Sequence, residues 1–288
     1  MRPDFVLEHL PEAEIRPLLI AGAHGTLGRA FSSICHTRGL VAVALGRAEL
    51  DIADPKSVAR AFDQHRPWAV VNAAGYVRVD DAENDVERCF RENATGPAVL
   101  AAACAQWELP LLTFSSDLVF DGEQEEPYTE SATPNPLNVY GRSKLAAEQL
   151  VLATCPAALV VRTSAFFSGW DQYNFVHQAL QAGRAGQPFE AAEDVRMAPT
   201  YVPDLVNTAL DLLLDGAQGI WHLACQDSCT WADLARAAAR RAGISDEFVV
   251  PRRMVDFGLP AARPRQSVLA SEKGMLQPSI EDALGRML

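Results

Sequence analysis

The feature that most constrains the fold of this chain is an apolar segment that runs directly into a glycine-rich turn. Residues 18–28 read Leu-Leu-Ile-Ala-Gly-Ala-His-Gly-Thr-Leu-Gly, which predicts a short buried strand, a turn containing Gly22, Gly25 and Gly28, and then a helix. This order of elements can hold a dinucleotide pyrophosphate at the N-terminus of the helix. The glycine pattern is a weak signal alone, because Gly22 could also serve a plain strand-to-helix turn.

Short apolar strands alternate with amphipathic helices as far as residue 162. This alternation predicts a parallel sheet with helices on both faces. We therefore predict an α/β fold built on a Rossmann-type doubly wound parallel sheet, whose ligands bind beyond the carboxyl ends of the strands. The predicted strands span residues 18–21, 40–45, 68–72, 109–115 and 158–162, and the predicted helices span 26–37, 55–65, 80–107 with a break near Gly96-Pro97, 137–154, 204–214 and 230–242.

The second half of the chain is less regular, since glycine, proline and aromatic residues become denser after residue 163. The Pro- and Arg-rich segment 250–267 is predicted as a loop. We predict an NAD(P)-binding domain over 17–165 and a smaller C-terminal substrate-binding lobe over 166–288, some segments of which could return to the first domain. Residues 1–16 are charged and aperiodic, which indicates a tail or a linker from a fused upstream domain.

Charge and composition exclude several classes of partner. The net charge of −12 argues against nucleic acid and anionic membranes. No apolar stretch approaches the ~20 residues of a membrane helix, and the N-terminus lacks the apolar core of a signal peptide. The six cysteines are scattered without a Cys-x-x-Cys, which favours buried free thiols in a reducing cytoplasm. A metal or disulfide role stays open for Cys225 and Cys229, but no metal site is predicted.

Tyr140 and Lys144 are four residues apart in a predicted helix, so their side chains lie on one face. An ammonium group beside a phenol lowers the pKa of the phenol, because the positive charge favours phenolate. Such a pair can supply a proton while a bound nicotinamide supplies hydride, and together they reduce a carbonyl group. The same spacing also arises by chance in many helices. It becomes evidence for carbonyl reduction only together with the glycine-rich turn upstream.

Eight motifs in order resemble those of the extended short-chain dehydrogenase/reductase superfamily and, within it, the dTDP-4-dehydrorhamnose reductases. The resemblance covers nearly everything from Pro17 to the C-terminus. It implies reduction of the 4-keto group of a nucleotide-linked deoxysugar, so that a nucleotide sugar is the expected partner and a homodimer is a possible assembly. The motifs lie at residues 22–28, 50–52, 71–74, 115–122, 136–144, 161–164, 198–201 and 263–269.

The resemblance assigns Ser116, Tyr140 and Lys144 to a catalytic Ser-Tyr-Lys triad. Ser116 would hydrogen-bond the substrate carbonyl, and Tyr140 would donate a proton to the developing alkoxide. Lys144 would hold the nicotinamide ribose and lower the pKa of the tyrosine. Asp117 and Asn138 are polar neighbours that could orient substrate hydroxyls, although turn formation explains both residues about as well.

The expected cofactor is NADP, with NAD possible. An NAD enzyme usually has a carboxylate roughly 20 residues beyond the glycine-rich turn. This chain has Arg47 there, which suits a 2′-phosphate, with a solvated arginine as the alternative. The residues expected to bind the cofactor are Gly22, His24, Gly25, Thr26, Leu27, Gly28, Arg47, Asp51, Ile52, Ala73, Ala74, Gly75, Tyr140 and Lys144.

Two departures from the family pattern fall near the expected sugar pocket, where Leu118 and Ala165 replace aromatic residues. They leave the triad intact and open the question of which sugar is bound. Arg263 and Arg265 are expected to clamp the substrate diphosphate, as charge-assisted forks do, with a solvated basic loop as the alternative.

Two other functions stay open on the sequence. One is a non-catalytic NADP-binding regulatory subunit, similar to the β subunit of methionine adenosyltransferase, and the other is a nucleotide-sugar epimerase. The intact triad favours an enzyme, because a regulatory subunit needs no proton donor. A 4,6-dehydratase is disfavoured, since Leu118 follows Asp117 where such an enzyme would carry a glutamate.

Overall fold

The computed structural model describes residues 15–288. The predicted tail or linker over 1–16 therefore lies almost wholly outside the described residues. Within residues 15–288, no helix is long and apolar enough to cross a bilayer. All six cysteines lie in this part and are free thiols. In the same residues, no group of three or more His, Cys, Asp or Glu side chains is placed to hold a metal ion.

The elements follow one another largely in the predicted alternating order. In chain order the strands are β1 Leu18–Ala21, β2 Ala42–Leu45, β3 Ala69–Asn72, β4 Leu111–Ser116, β5 Leu159–Thr163, β6 Phe166–Phe167, β7 Phe189–Ala192, β8 Arg196–Met197, β9 Thr200–Tyr201, β10 Gly219–His222, β11 Cys229–Thr230 and β12 Val249–Arg252. The helices are α1 Thr26–Thr37, α2 Pro55–His65, α3 Val86–Phe90, α4 Gly96–Trp107, α5 Val139–Thr154, α6 Phe175–Arg184, α7 Val202–Leu214, α8 Trp231–Arg241 and α9 Ile280–Met287.

Six of these strands form a parallel sheet at the centre of the molecule, in the order β10-β5-β4-β3-β1-β2. This confirms the predicted α/β class with a doubly wound parallel sheet. Alternate residues of β1 enter opposite cores: Leu18 and Ile20 pack with α1 and α7, and Leu19 and Ala21 pack with α2 and α4. Because both faces are covered, the strand must be apolar along its whole length, as the sequence is.

Polar side chains set the starts of two helices. The Asp54 carboxylate accepts an N–H of the first turn of α2, and Pro55 occupies its first position, as predicted. Helix α5 begins at residue 139 and not at 137, because the side chain of Asn138 caps it by accepting the N–H of Gly141 at 2.7 Å.

The predicted break near Gly96-Pro97 is wrong. A 3-10 turn covers Asp81–Glu83, the helix restarts as α3, and it then continues into α4 through a π-helical turn, Arg91–Thr95. Pro97 has no N–H to donate, and its ring crowds the carbonyl four residues earlier. The wider π turn accommodates both effects without ending the helix.

The C-terminal half is more ordered than the sequence suggests. Helices α7 and α8 confirm the two predicted helices, whereas α6, α9 and the short strands were not predicted. Strand β12 begins the segment that was predicted as a loop, and it pairs with β7. Helix α7 and strand β10 return to the first domain, where β10 pairs with β5. The remaining elements form a lobe with a separate core, centred on Phe167, Leu180 and Leu234.

Candidate active site

A crevice for a ligand lies where the strand order reverses, at the carboxyl ends of β1 and β3. Gly22 follows β1 with φ of +91°, and a Cβ there would lie 2.7 Å from the backbone nitrogen of Ala74. A Cβ on Gly28 would lie 2.1 Å from the carbonyl oxygen of Gly22. Glycine is therefore required at residue 22 for the tight turn and at residue 28 for the packing of α1 against that turn.

The N-terminus of α1 is built to receive an oxyanion. No side chain of residues 15–288 caps this helix, so backbone N–H groups of its first turn are left for a ligand. Gly25 is the N-cap residue, and a Cβ there would meet only the carbonyl oxygen of Gly22, at 3.6 Å. This cradle fits a phosphate of a dinucleotide, since backbone can approach it closely.

Two residues of the glycine-rich turn make contacts that could not be predicted from the sequence. The Thr26 hydroxyl donates to Asp171 Oδ2 at 2.7 Å, although the two residues are 145 positions apart. Nε2 of His24 lies 2.7 Å from the point that a Cβ on Gly46 would occupy, so His24 packs against the backbone just before Arg47. Asp171 therefore brings a lobe carboxylate to the edge of the phosphate cradle.

A small cavity of about 60 Å³ lies at the β2 end of the crevice. Two residues of the π turn that the sequence did not indicate, Arg91 and Glu92, form part of its wall. Arg91 donates to Asp51 at 2.6 Å, and Glu92 pairs with Arg47 at 2.5 Å. The residues predicted to bind the cofactor that line this cavity are Gly22, Arg47, Asp51, Ile52, Ala74 and Gly75.

An acidic residue does lie beside Arg47, which qualifies the argument that Arg47 replaces an acid. Glu92 pairs with both Arg47 and Arg88, the latter at 2.7 Å. Burial opposes the ionisation of Glu92, but the two guanidinium groups outweigh it and lower its pKa. Arg91 pairs with Asp51, and Arg88 also pairs with Asp85, so three carboxylates balance the three arginines. The Arg47 side chain is 55% exposed, so a phosphate can reach it.

A larger cavity of about 520 Å³ adjoins the small one, with which it shares the lining residues Ala74 and Gly75. Ser116 at the end of β4 and Tyr140 and Lys144 in α5 all line this cavity. The structure thus brings the predicted triad together. Other predicted site residues in its wall are Leu27, Ala73, Asp117 and Arg263, and the lobe contributes an apolar wall of Phe166, Phe175, Met197, Trp231, Met254 and Phe257.

The ammonium of Lys144 lies over the ring of Tyr140, and within residues 15–288 no hydrogen bond joins it to the Tyr140 hydroxyl. Nζ is 5.7 Å from the ring centroid and donates to the carbonyl oxygen of Phe114 at 3.2 Å. Burial raises the pKa of Tyr140, the Asp117 carboxylate raises it further, and the Ser116 hydroxyl opposes the rise. The expectation of a lowered Tyr140 pKa is therefore wrong for this arrangement, and the phenol stays protonated.

Asn93, in the π turn, joins the loop after β3 to the helix that carries Tyr140 and Lys144. Its Oδ1 accepts the N–H of Tyr76 at 2.7 Å, and its Nδ2 donates to the Tyr76 carbonyl and to Ser143 Oγ, both at 3.0 Å. These bonds hold the cofactor side of the crevice in register with the triad. The sequence signal was a lone amide within an otherwise helical segment.

The residues predicted to bind substrate are separated in the structure. Asp117 and Arg263 line the large cavity, whereas Asn138 and Arg265 do not. Asn138 caps α5, and its Nδ2 donates to a backbone carbonyl of the lobe, so both ends of its amide have structural partners, as in the alternative prediction that it forms a turn. Arg265 is exposed. Both terminal nitrogens of Arg263 donate to Asp80 at 2.7 Å, so a diphosphate would share Arg263 with that carboxylate.

Comparison with known proteins places this geometry in a family. The family model described as the RmlD substrate binding domain matches residues 16–282. A dTDP-4-keto-6-deoxy-D-glucose reductase of Streptomyces niveus is 34% identical over 254 residues, which cover 88% of each protein. A dTDP-4-dehydrorhamnose reductase of Mycolicibacterium smegmatis is 35% identical over 258 residues, 89% of this chain and 78% of that protein.

Solved structures agree. A dTDP-4-dehydrorhamnose reductase from Bacillus anthracis, in complex with NADP, is 30% identical with a TM-score of 0.90, over 94% of this chain and 98% of that one. A UDP-glucose 4-epimerase from Thermus thermophilus, 21% identical with a TM-score of 0.78 over 94% of this chain and 98% of that one, shares the fold. Family match, identity and fold agree with the eight sequence motifs, and this chain therefore belongs to the RmlD substrate binding domain family.

Proposed function

We propose that this protein uses NADPH to reduce the 4-keto group of a dTDP-linked 6-deoxysugar, with Ser116, Tyr140 and Lys144 as its catalytic residues. One observation carries the proposal: the three side chains line a single cavity that adjoins the smaller cavity beside the phosphate cradle. A ligand of dinucleotide length can occupy both, because they share Ala74 and Gly75.

The names of the relatives support this substrate class. Two relatives that align with most of this chain reduce 4-keto sugars carried on dTDP, and a structural relative binds NADP. Leu118 and Ala165, which replace the aromatic residues expected from the family, both line the large cavity. We therefore expect a reshaped sugar pocket, in which dTDP-4-dehydrorhamnose is a poor substrate.

A bound nicotinamide supplies hydride to the carbonyl carbon of the sugar. Tyr140 donates its phenolic proton to the carbonyl oxygen, and its raised pKa keeps that proton in place until negative charge develops on the oxygen. Burial lowers the pKa of Lys144 to about 8, so it is still mostly an ammonium at neutral pH. Its position over the tyrosine ring stabilises the phenolate that remains, and the apolar wall strengthens this attraction.

Arg263 is our candidate for the diphosphate of the substrate. Among residues 15–288, Lys144 and Arg263 are the only cations in the wall of the large cavity. The Arg263 side chain is 16% exposed and is held by Asp80, which fixes its position at the cavity edge. Arg265 is no longer part of the proposed site, because it lies outside that wall.

Arg47→Ala is expected to weaken NADPH binding by ~10-fold or more, the scale of one charge-assisted hydrogen bond to phosphate. NADH binding should change little, because NADH lacks the 2′-phosphate. Fluorescence titration of both cofactors measures this. Arg240→Ala removes another exposed arginine, which is paired with Asp246 and lies outside both cavity walls, and serves as the control. Equal affinity for NADH and NADPH, unchanged in Arg47→Ala, would show that Arg47 is solvated and does not bind the 2′-phosphate.

The activity is tested by the stoichiometry of cofactor use with dTDP-4-keto-6-deoxyglucose and dTDP-4-dehydrorhamnose. We expect one NADPH to be consumed for each sugar reduced, followed at 340 nm and by chromatography of the nucleotide sugars. An epimerase would convert the sugar without net NADPH loss. A regulatory subunit would bind NADPH and convert neither sugar, and either result would reject the proposed reductase.

A further inference from the structure

The Asp117 carboxylate is buried behind Ser116 and is surrounded by hydroxyl groups from three parts of the chain. Its Oδ2 accepts from Ser164 at 2.8 Å and from Ser267 at 2.6 Å. Its Oδ1 accepts from Ser116 at 3.0 Å. Ser164 follows β5 and Ser267 belongs to the C-terminal segment, so the lobe contributes directly to this cluster. Among residues 15–288, no cation forms an ion pair with Asp117.

Counting hydrogens shows what this cluster does to Ser116. A serine hydroxyl has one hydrogen and two lone pairs. One lone pair of Ser116 accepts the N–H of Leu118 at 3.1 Å, and its hydrogen is directed at Asp117 Oδ1. In this state Ser116 has only a lone pair left for the active site, where the neighbouring hydroxyl is that of Tyr140. It cannot donate to a substrate carbonyl, which is the role that the family resemblance gives it.

We propose that Asp117 is a positioning residue whose proton decides the direction of the Ser116 hydrogen. When the carboxyl is protonated at Oδ1, it donates to Ser116 Oγ, and both lone pairs of the serine are then filled. The serine hydrogen is released toward the cavity, where it can bond the carbonyl oxygen of the substrate. When the carboxyl is ionised, it takes that hydrogen back. This inference rests on the proposed function, since a carbonyl substrate must be present to use the released hydrogen.

The surroundings of Asp117 favour a carboxyl group that can hold a proton. The other charged or titratable groups in the cavity wall are Tyr140, Lys144, Glu190 and Arg263. The last three have partners elsewhere: the carbonyl of Phe114, Arg252 and Asp80, respectively. Burial raises the pKa of Asp117, and the hydrogen bonds from the three serines oppose that rise. The protonated form therefore persists to higher pH than in an ordinary aspartic acid.

Asp117→Asn tests the proposal because asparagine copies the protonated state. Its carbonyl oxygen can accept from Ser164 and Ser267, and its amide can donate to Ser116 at every pH. In the wild type, kcat for the 4-keto sugar should fall by about tenfold per pH unit above the pKa of Asp117. In Asp117→Asn this fall should disappear, with kcat at low pH within about threefold of the wild type.

Ser267→Ala provides the second variant. It removes a donor that favours the carboxylate, so the pKa of Asp117 should rise and the fall in kcat should move to higher pH. If Asp117→Asn keeps the fall where the wild type has it, the titrating group is another one, such as Lys144, and the proposal is overturned. A loss of tenfold or more in Asp117→Asn at low pH would also overturn it, because the ionised form would then be the active one.

A readout without turnover separates this inference from the proposed function. In protein labelled with ¹³C-carboxyl aspartate, the Asp117 signal is the one lost in Asp117→Asn. We expect it to titrate above the ordinary range of aspartic acid, and higher still in Ser267→Ala. Titration in the ordinary range would overturn the proposal even in an active enzyme. Absence of turnover of both 4-keto sugars by the wild type would reject the proposed function and leave this titration to decide on Asp117.

Discussion

Tyr140→Phe is expected to lower turnover by at least ~100-fold, the scale of general acid catalysis by one side chain. The phenylalanine ring keeps the packing of α5 and the contact with the Lys144 ammonium, so NADPH affinity should stay near that of the wild type. The hydroxyl alone is lost, and with it the proton that the carbonyl oxygen receives. Turnover is measured by NADPH absorbance and affinity by fluorescence titration.

Tyr76→Phe is the matched control for that experiment. Its hydroxyl does not line the cavity and makes no hydrogen bond to the described residues, while its backbone is held by Asn93. Turnover of Tyr76→Phe should therefore be close to that of the wild type. Comparable turnover in Tyr140→Phe and Tyr76→Phe would show that Tyr140 is not the proton donor.

Gly28→Ala is expected to damage both the fold and the cofactor site. Its methyl group would lie 2.1 Å from the carbonyl oxygen of Gly22, so α1 must move away from the turn. Such overpacking typically lowers the free energy of unfolding by about 1–3 kcal/mol. The shift also displaces the N–H groups of the phosphate cradle, so we expect NADPH affinity to fall by at least ~10-fold, the size of one lost hydrogen bond to a charged group.

Gly25→Ala separates these two effects. Its backbone has φ of −77°, which alanine adopts freely, and the new methyl meets only one atom, at 3.6 Å. Thermal unfolding should therefore be nearly unchanged, while the methyl intrudes where backbone approaches phosphate and NADPH affinity falls. If Gly28→Ala has the same melting temperature as the wild type, the close contact between residue 28 and Gly22 does not limit the stability of the fold. If Gly25→Ala binds NADPH normally, the phosphate lies elsewhere.

The first half of the fold could be predicted because its local signals agree with its tertiary structure. Strand β1 is apolar throughout since both of its faces are buried, and the Asp54-Pro55 pair marks the start of α2. The sequence of the lobe contains weaker signals of secondary structure. Its strands β8, β9 and β11 have two residues each, too short for an alternating pattern, and β12 contains Pro251. Pairing partners far along the chain decide these elements.

The candidate site likewise has a part that could be predicted from the sequence and a part that could not. The positions of Ser116, Tyr140 and Lys144 around one cavity follow from the parallel sheet and the spacing along α5. The partners of Arg47 and Thr26 could not be predicted, because Glu92 and Asp171 reach them only through the folded chain. The raised pKa of Tyr140 could not be predicted for a related reason: sequence spacing brings an ammonium near the ring, but burial and Asp117 dominate at the hydroxyl.

The central claim is that hydride reaches the 4-keto carbon of a dTDP-linked sugar held beside Tyr140. NADPH that carries deuterium at both C4 positions of the nicotinamide tests this most directly, with the product analysed by mass spectrometry and NMR. We predict one deuterium per product molecule, located at sugar C4, in the wild type and at least ~100-fold less product in Tyr140→Phe. A converted sugar without deuterium at C4, or equal labelling rates in the two proteins, would contradict the account.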